Sequence, residues 1–142
     1  MAMWFETAVR YDKIMENGAA KKVTEKYLVD ALSFAEAEAR TTEERAPFII
    51  GDFSVRAAKR TKITETFGSN DAERFYLAKV AFITIDERTA GEKRTTSQVL
   101  VGANDFDNAL QIFKDEMKST MADWELVSLA ETPIMQVYPA KL

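Results

Sequence analysis

Apolar and polar residues alternate along the chain in two successive rounds of strand, strand, helix and strand. Trp4 to Tyr11 mixes aromatic and β-favouring residues in alternation, the pattern of a half-buried strand. Glu16-Asn17-Gly18-Ala19 follows, and Asn-Gly supplies positive φ at little cost, so it predicts a tight turn. Lys22 to Ala31 returns as the second strand. Ser33-x-x-Glu36 then reads as a capping box that opens a helix, because hydroxyl and carboxylate satisfy free backbone N–H groups. The helix is predicted to run to about Arg45, short of Pro47, since the residue before proline is pushed out of the α region. Phe53 to about Phe67 reads as one long strand.

The second round has the same plan. Arg74 to Asp86 reads as a strand, Thr89-Ala90-Gly91 as a turn, and Glu92 to Ala103 as a strand. Asp105 is a good N-cap for a second helix. That helix carries Phe106, Ala109, Leu110, Phe113 and Met117 at helical spacing, a stripe that packs on a sheet. Trp124 to Val137 reads as the last strand, with Pro133 confined to an edge or a bulge.

The two rounds also align in residue type. Tyr27–Phe34 matches Val99–Phe106 at an offset of 72, and Ala37 matches Ala109. Phe5–Tyr11 resembles Tyr76–Phe82 at 71, and Phe53-Ser54-Val55 resembles Trp124-Glu125-Leu126 at 71. Thr61, Ile63 and Phe67 fall on Thr132, Ile134 and Tyr138. The reading is an α+β fold, a tandem β-β-α-β pseudo-repeat with a mainly antiparallel sheet and two helices packed on one face. The pseudo-repeats span about 3–67 and 74–138, with Gly68-Ser69-Asn70-Asp71 as the boundary. Halves of about 70 residues are marginal alone, so residues 1–142 are expected to form a single domain with one core and a continuous or closely packed sheet.

Composition removes more chemistry than it adds. Among 142 residues there is no Cys and no His. Thiolate nucleophiles, disulfides, zinc knuckles and the usual general base at neutral pH are absent with them. Five glycines form neither GxGxxG nor a Walker A loop, so those nucleotide-binding routes are excluded. Asp86-Glu87 and Asp105-x-Asp107 are the candidates for a carboxylate metal cluster, and each has an ordinary role as a hairpin end or a cap. No catalytic residue, metal site or cofactor is expected, and the protein reads as a non-enzymatic binder. No run approaches the roughly 18 apolar residues of a membrane helix, and the first residues lack the pattern of a signal peptide. A cytoplasmic setting with no membrane partner is the expectation.

Charge is unevenly placed. Residues 53–64 hold Arg56, Lys59, Arg60 and Lys62 and no acid, whereas residues 33–52 carry a net −3. Alternate residues of a strand share a face. Arg56, Arg60 and Lys62 then fall on one side, with Phe53, Val55 and Ile63 on the other. Trp4 and Arg10 share a parity on the first strand, and the repeat alignment adds Phe75 and Lys79. Trp4, Arg10, Arg56, Lys59, Arg60, Lys62, Phe75 and Lys79 together make a candidate nucleic-acid-binding face. Cations that track a backbone and aromatics that stack on bases are what sequence-tolerant single-strand binders use. Single-stranded DNA or RNA is therefore the expected ligand. The competing reading is a protein-interaction module. Leu77 and Ile83 share the side of Phe75, so the face can instead be buried in a homo-oligomer or against a host protein. Basic residues on an exposed strand also block edge pairing, and a net charge of −4 works against tight binding to phosphates.

Met3-Trp4-Phe5-Glu6-Thr7-x-Val9-Arg10-Tyr11, Lys22-Val23-Thr24-Glu25, Tyr27–Phe34, Lys59-Arg60-Thr61-Lys62 and Ala130-Glu131-Thr132-Pro133-Ile134 together resemble a family of small proteins of unknown function. That family comes from Bacteroides-type bacteria and their phages and mobile elements, and the resemblance spans nearly the whole chain. It implies a bacterial or phage cytoplasmic setting, and with it the classes of DNA-metabolism accessory proteins and host-factor binders. It implies no activity, cofactor or catalytic residue.

Overall fold

The computed structural model describes residues 3–140. Eight strands and two helices form two four-stranded, mainly antiparallel sheets, an α+β fold. β1 (Trp4–Ile14) and β2 (Ala20–Asp30) make a hairpin. At its turn Gly18 takes φ +83°, and Asn17 Oδ1 accepts a hydrogen bond from Ala19 N. α1 (Phe34–Arg45) starts where the capping box predicts: Ser33 Oγ accepts from Glu36 N at 3.1 Å. Glu36 Oε2 in turn accepts from Leu32 N. A 3₁₀ turn containing Pro47 follows α1. β3 (Phe53–Arg60), β4 (Ile63–Gly68), β5 (Arg74–Ile85) and β6 (Glu92–Ala103) come next. α2 (Phe106–Met117), β7 (Asp123–Thr132) and β8 (Ile134–Tyr138) complete the chain. The cap of α2 is reciprocal as well: Asp105 accepts from Asn108 N, and Asn108 Oδ1 from Asn104 N.

Two predicted long strands are each two strands. The stretch 53–67 breaks at Thr61-Lys62, and 124–137 breaks at Pro133. In both cases the second piece joins the other sheet. One sheet has the order β3-β1-β2-β8 and the other β4-β6-β5-β7. Of the two expected arrangements, a continuous or a closely packed sheet, the continuous one is not formed: there are two sheets, each taking one edge strand from the far half of the chain. The breaks have local causes. Thr61 donates from both N and Oγ1 to the Trp4 carbonyl, each at 2.8 Å, which ends the ladder of β3 on β1. Thr132 Oγ1 donates to the Phe75 carbonyl at 2.9 Å, and Pro133 has no N–H for the next rung.

The chain divides at Thr61/Lys62 and at Thr132/Pro133 into two compact units. Unit 1 contains β1, β2, α1, β3 and β8, and unit 2 contains β4, β5, β6, α2 and β7. Their ladders carry irregularities at corresponding places. Each outer antiparallel pair has a bulge, at Arg56 of β3 opposite the Ala8–Val9 step of β1 and at Val127 of β7 opposite the Lys79–Val80 step of β5. Each parallel pair has a register shift, after Lys26 beside β8 and after Ile63 beside Gln98 of β6.

Each unit packs one helix on one sheet face. In unit 2, Ala109, Phe113 and Met117 of α2 pack with Tyr76, Val80, Val99 and Val101. Phe113 lies between the rings of Phe67 and Trp124. Burying such a ring is worth about 2–3 kcal/mol. Phe106 and Leu110 complete the expected stripe only at its margin, and Phe106 is largely exposed. α1 is poorer in apolar residues and buries Ala37 and Thr41.

Thr7 and Thr41 are fully buried and share a 2.9 Å hydrogen bond. Thr41 Oγ1 donates its proton to the Ala37 carbonyl, so Thr7 is the donor to Thr41. Thr41→Val keeps the shape and leaves the Thr7 hydroxyl without this acceptor. A loss of about 1–3 kcal/mol is expected, with most of it recovered in Thr7→Val/Thr41→Val. Urea denaturation of the two variants checks this, and a double variant no better than the single one contradicts it.

Candidate functional site

In unit 1 the side chains of β1 alternate between the α1 face and an open face. Phe5, Thr7 and Val9 point into the core beneath α1. Glu6, Ala8, Arg10 and Asp12 take the opposite side. Cross-strand pairing extends that side over the hairpin: Lys22 lies opposite Asp12, Thr24 opposite Arg10, and Lys26 opposite Ala8. On the other flank Ser54 lies opposite Arg10 and Lys59 opposite Glu6.

The bulge on β3 decides which of its cations join this face. Val55 pairs with Val9 and Ala57 with Ala8, so Arg56 is the extra residue. An extra residue reverses the alternation beyond it. Lys59, not Arg60, therefore shares the face of Arg10, and Arg60 sits opposite Phe5 on the α1 side. The expectation that Arg56, Arg60 and Lys62 share one side is corrected on this point. Lys62 follows the break and belongs to unit 2.

The open face thus gathers Arg10, Lys22, Lys26, Arg56 and Lys59, against Glu6 and Asp12. Glu6 Oε1 lies 3.4 Å from Lys26 Nζ and 3.8 Å from Lys59 Nζ. Exposed pairs of this kind contribute about 0–1 kcal/mol, and one carboxylate shared by two cations leaves the face net positive. Lys22 and Lys26 were missed by the charge-run reading, although positions 22, 24 and 26 follow directly from the Asn17-Gly18 hairpin. Between β1 and β3 the face carries a groove of about 280 Å³. Arg10, Lys22 and Arg56 line it together with Asp12 and Asp52; Tyr11 and Phe53 border it, but their rings belong to the α1 side, packed on the cluster of Val9, Tyr27 and Ile49.

The expected aromatic platform is not at the surface. Trp4 is 6% exposed and Phe75 1% exposed, so neither ring is available for stacking on a base. Lys79 is exposed on β5, opposite Gln98 and Ser128, and it belongs with Phe75 to unit 2. The structure brings together Arg10, Arg56 and Lys59 from the expected set and adds Lys22 and Lys26.

Behind this face, a polar and aromatic cluster fixes β8 and α1 to the sheet. Tyr11 and Tyr27 both donate to Glu25 Oε1, at 2.8 and 3.2 Å. The Arg45 guanidinium stands 4.7 Å from the Tyr27 ring centre and 4.9 Å from that of Phe48. It also donates to Tyr138 Oη at 3.0 Å. Burial pushes the Tyr27 phenol well above its ordinary pKa of 10.0, against the opposing pull of Arg45. Burial and the hydrogen bond to Glu25 raise Tyr11 as well. A phenol raised in the folded state keeps its proton at pH values where the unfolded chain releases it. Stability is then full below about pH 10 and falls as pH rises, by about 1.4 kcal/mol per pH unit for one fully retained proton. Tyr27→Phe is expected to flatten that alkaline slope in urea unfolding followed from pH 9 to 11. An unchanged slope contradicts the assignment.

Asp86 and Asp105 each hold a nearby backbone N–H. Asp86 Oδ1 accepts from Arg88 N in the β5–β6 turn, and Asp105 caps α2. Among the described residues no group of three or more carboxylates is placed to hold a metal ion. Also among them, no helix is long and apolar enough to cross a membrane. A family model described as "Domain of unknown function (DUF4494)" matches residues 3–140. No curated protein matches the chain.

Proposed function

The chain belongs to the DUF4494 family of unknown function, and we propose that it is a non-enzymatic binding protein that holds single-stranded nucleic acid on the open sheet face of unit 1. The observation that carries this reading is the convergence of Arg10, Lys22, Lys26, Arg56 and Lys59 from three adjacent strands onto one face. Alternate positions along a strand are roughly 7 Å apart and neighbouring strands about 5 Å apart. Cations on that grid can follow a flexible phosphate backbone without reading its sequence. The groove of about 280 Å³ adds a recess among Arg10, Lys22 and Arg56 for part of that backbone. A flexible single strand follows such a grid more readily than a stiff duplex, and this favours single strands. A setting in the cytoplasm of Bacteroides-type bacteria, or of their phages and mobile elements, fits a DNA-metabolism accessory protein. A tandem duplication whose last strands are exchanged accounts for the two similar units.

The test is fluorescence anisotropy with labelled single-stranded DNA, single-stranded RNA and duplex at two salt concentrations. Micromolar or tighter binding to a single strand, weakening steeply with salt, is the expected result. No binding to any of them at low salt overturns the reading.

A second reading rests on a different observation. Leu32 and Phe34 at the start of α1, and Phe48 and Ile50 beyond its end, are exposed, Ile50 to 91%. Exposed apolar side chains at both ends of one helix suit a protein interface, with a second copy or a host protein as partner. Sedimentation at several concentrations tests the self-association form, which a monomer at every concentration excludes.

A further inference from the structure

Unit 2 holds a cavity of about 390 Å³ beneath the C-terminal end of α2, a size within the range of small-molecule sites. In unit 1 the corresponding space is filled. The ladders give the correspondence. Tyr138 pairs with Val29 beside β2, and Phe67 pairs with Val101 beside β6. Tyr27 lies opposite Thr7, and Val99 opposite Ala78. Val9 and Val80 each follow the point where the neighbouring edge strand, β3 or β7, carries its extra residue. Phe67, Val80 and Val99 line the cavity in unit 2. Their counterparts Tyr138, Val9 and Tyr27 belong to the cluster that buries Ile49, and the Arg45 guanidinium lies over Tyr27. Unit 1 thus fills this place with an aliphatic side chain and a cation from its own chain.

Unit 2 has neither. The last residue of α2 is Met117 where α1 ends in Arg45. The turn that follows is shorter, 118–122 against 46–52, and Met121 in it is almost fully exposed. The rim of the cavity carries Glu65 and Glu116, and the terminal carbonyls of α2 add negative potential there. We propose that this cavity is a binding site for a small organic cation with an apolar body, such as an aryl- or alkylamine. The apolar part takes the place that Ile49 occupies in unit 1, and the ammonium group faces Glu65 and Glu116. This site is independent of the cationic face of unit 1.

Dansylcadaverine, a fluorophore carrying a primary amine, is the probe, with neutral dansylamide for comparison. The full chain is expected to bind dansylcadaverine saturably at one site, about tenfold or more tighter than dansylamide. Glu65→Gln with Glu116→Gln, both at exposed positions, should remove that preference. Ser97→Leu, which fills the cavity wall, should abolish binding of both probes. Ile49→Ala should open the corresponding space in unit 1 and add a second, weaker site. No binding of dansylcadaverine overturns the proposal. So does equal binding of the two probes, or a preference that survives the double glutamine variant. The surface double variant decides the matter even where Ser97→Leu fails to fold.

Discussion

Arg10→Glu combined with Arg56→Glu is expected to weaken binding of single-stranded DNA by about a hundredfold or more at low salt, with the melting temperature nearly unchanged. Both side chains are exposed, and both line the groove of the open face. Exposed substitutions away from caps and core usually change stability by less than about 0.5 kcal/mol. Each reversal removes a cation and puts a repelling carboxylate in its place. Each phosphate contact on a single strand contributes about 0.7 to the slope of log affinity against log salt. The slope should therefore fall by about 1.4 as well. Arg60→Glu is the control that the bulge supplies. Arg60 lies opposite Phe5, away from the open face, so its reversal should cost far less affinity. Anisotropy at three salt concentrations reads both quantities. Wild-type affinity in the double variant, or an Arg60→Glu effect as large as that of the pair, would sink the assignment of the face.

Gly102→Ala is expected to cost about 3 kcal/mol or more, and to lower the melting temperature by on the order of 10 °C. Gly102 pairs with Gly68 in the parallel ladder of β4 and β6. A Cβ at residue 102 would sit well inside van der Waals contact of the Ser69 carbonyl oxygen. It would also lie 3.0 Å from a ring carbon of Phe75 and 3.1 Å from Ala72 Cβ. The first obstacle is backbone, so β4 and the turn after it must retreat from β6. Overpacking of this kind costs more than a side chain that can rotate away. Gly18→Ala is the comparison. Its Cβ would meet nothing within 4 Å, and only the positive φ is strained, at about 1–2 kcal/mol. In the sequence alignment at an offset of 72, Gly102 falls on Asp30, whose carboxylate accepts from Met3 N. The close approach is thus particular to unit 2. Urea unfolding of the two alanine variants gives the ranking, and a Gly102→Ala protein as stable as Gly18→Ala contradicts it.

The candidate face was legible in the sequence only where alternation ran undisturbed. Arg10, and with it Lys22 and Lys26 through the Asn17-Gly18 turn, can be placed by counting residues. Past Arg56 the count fails, because a bulge leaves no compositional mark in Phe53–Arg60 and shifts every later side chain to the other face. Trp4 and Phe75 fail for a different reason. Alternation places both on the face away from the helix, but a sheet face can be covered at one end and open at the other. The strand ends holding these rings are covered, while the end holding Arg10 and Lys22 is open.

What the sequence determined by itself is local. Asn-Gly turned the first hairpin, Ser33 and Asp105 began the helices, Pro47 limited the first of them, and alternation drew most of the strands. Each of these depends on a residue's own backbone preference or on neighbours within about four positions, so each can be read without a fold. The tertiary structure alone decided where the strands went. Nothing within β4 or β8 marks it for the sheet of the other half of the chain, because a strand's N–H and C=O groups pair equally well with any edge in register. The choice is made at Thr61 and Thr132, whose hydrogen bonds to the Trp4 and Phe75 carbonyls end one ladder and release the chain to the next. These contacts span 57 residues, and they exist only once the sheets have formed.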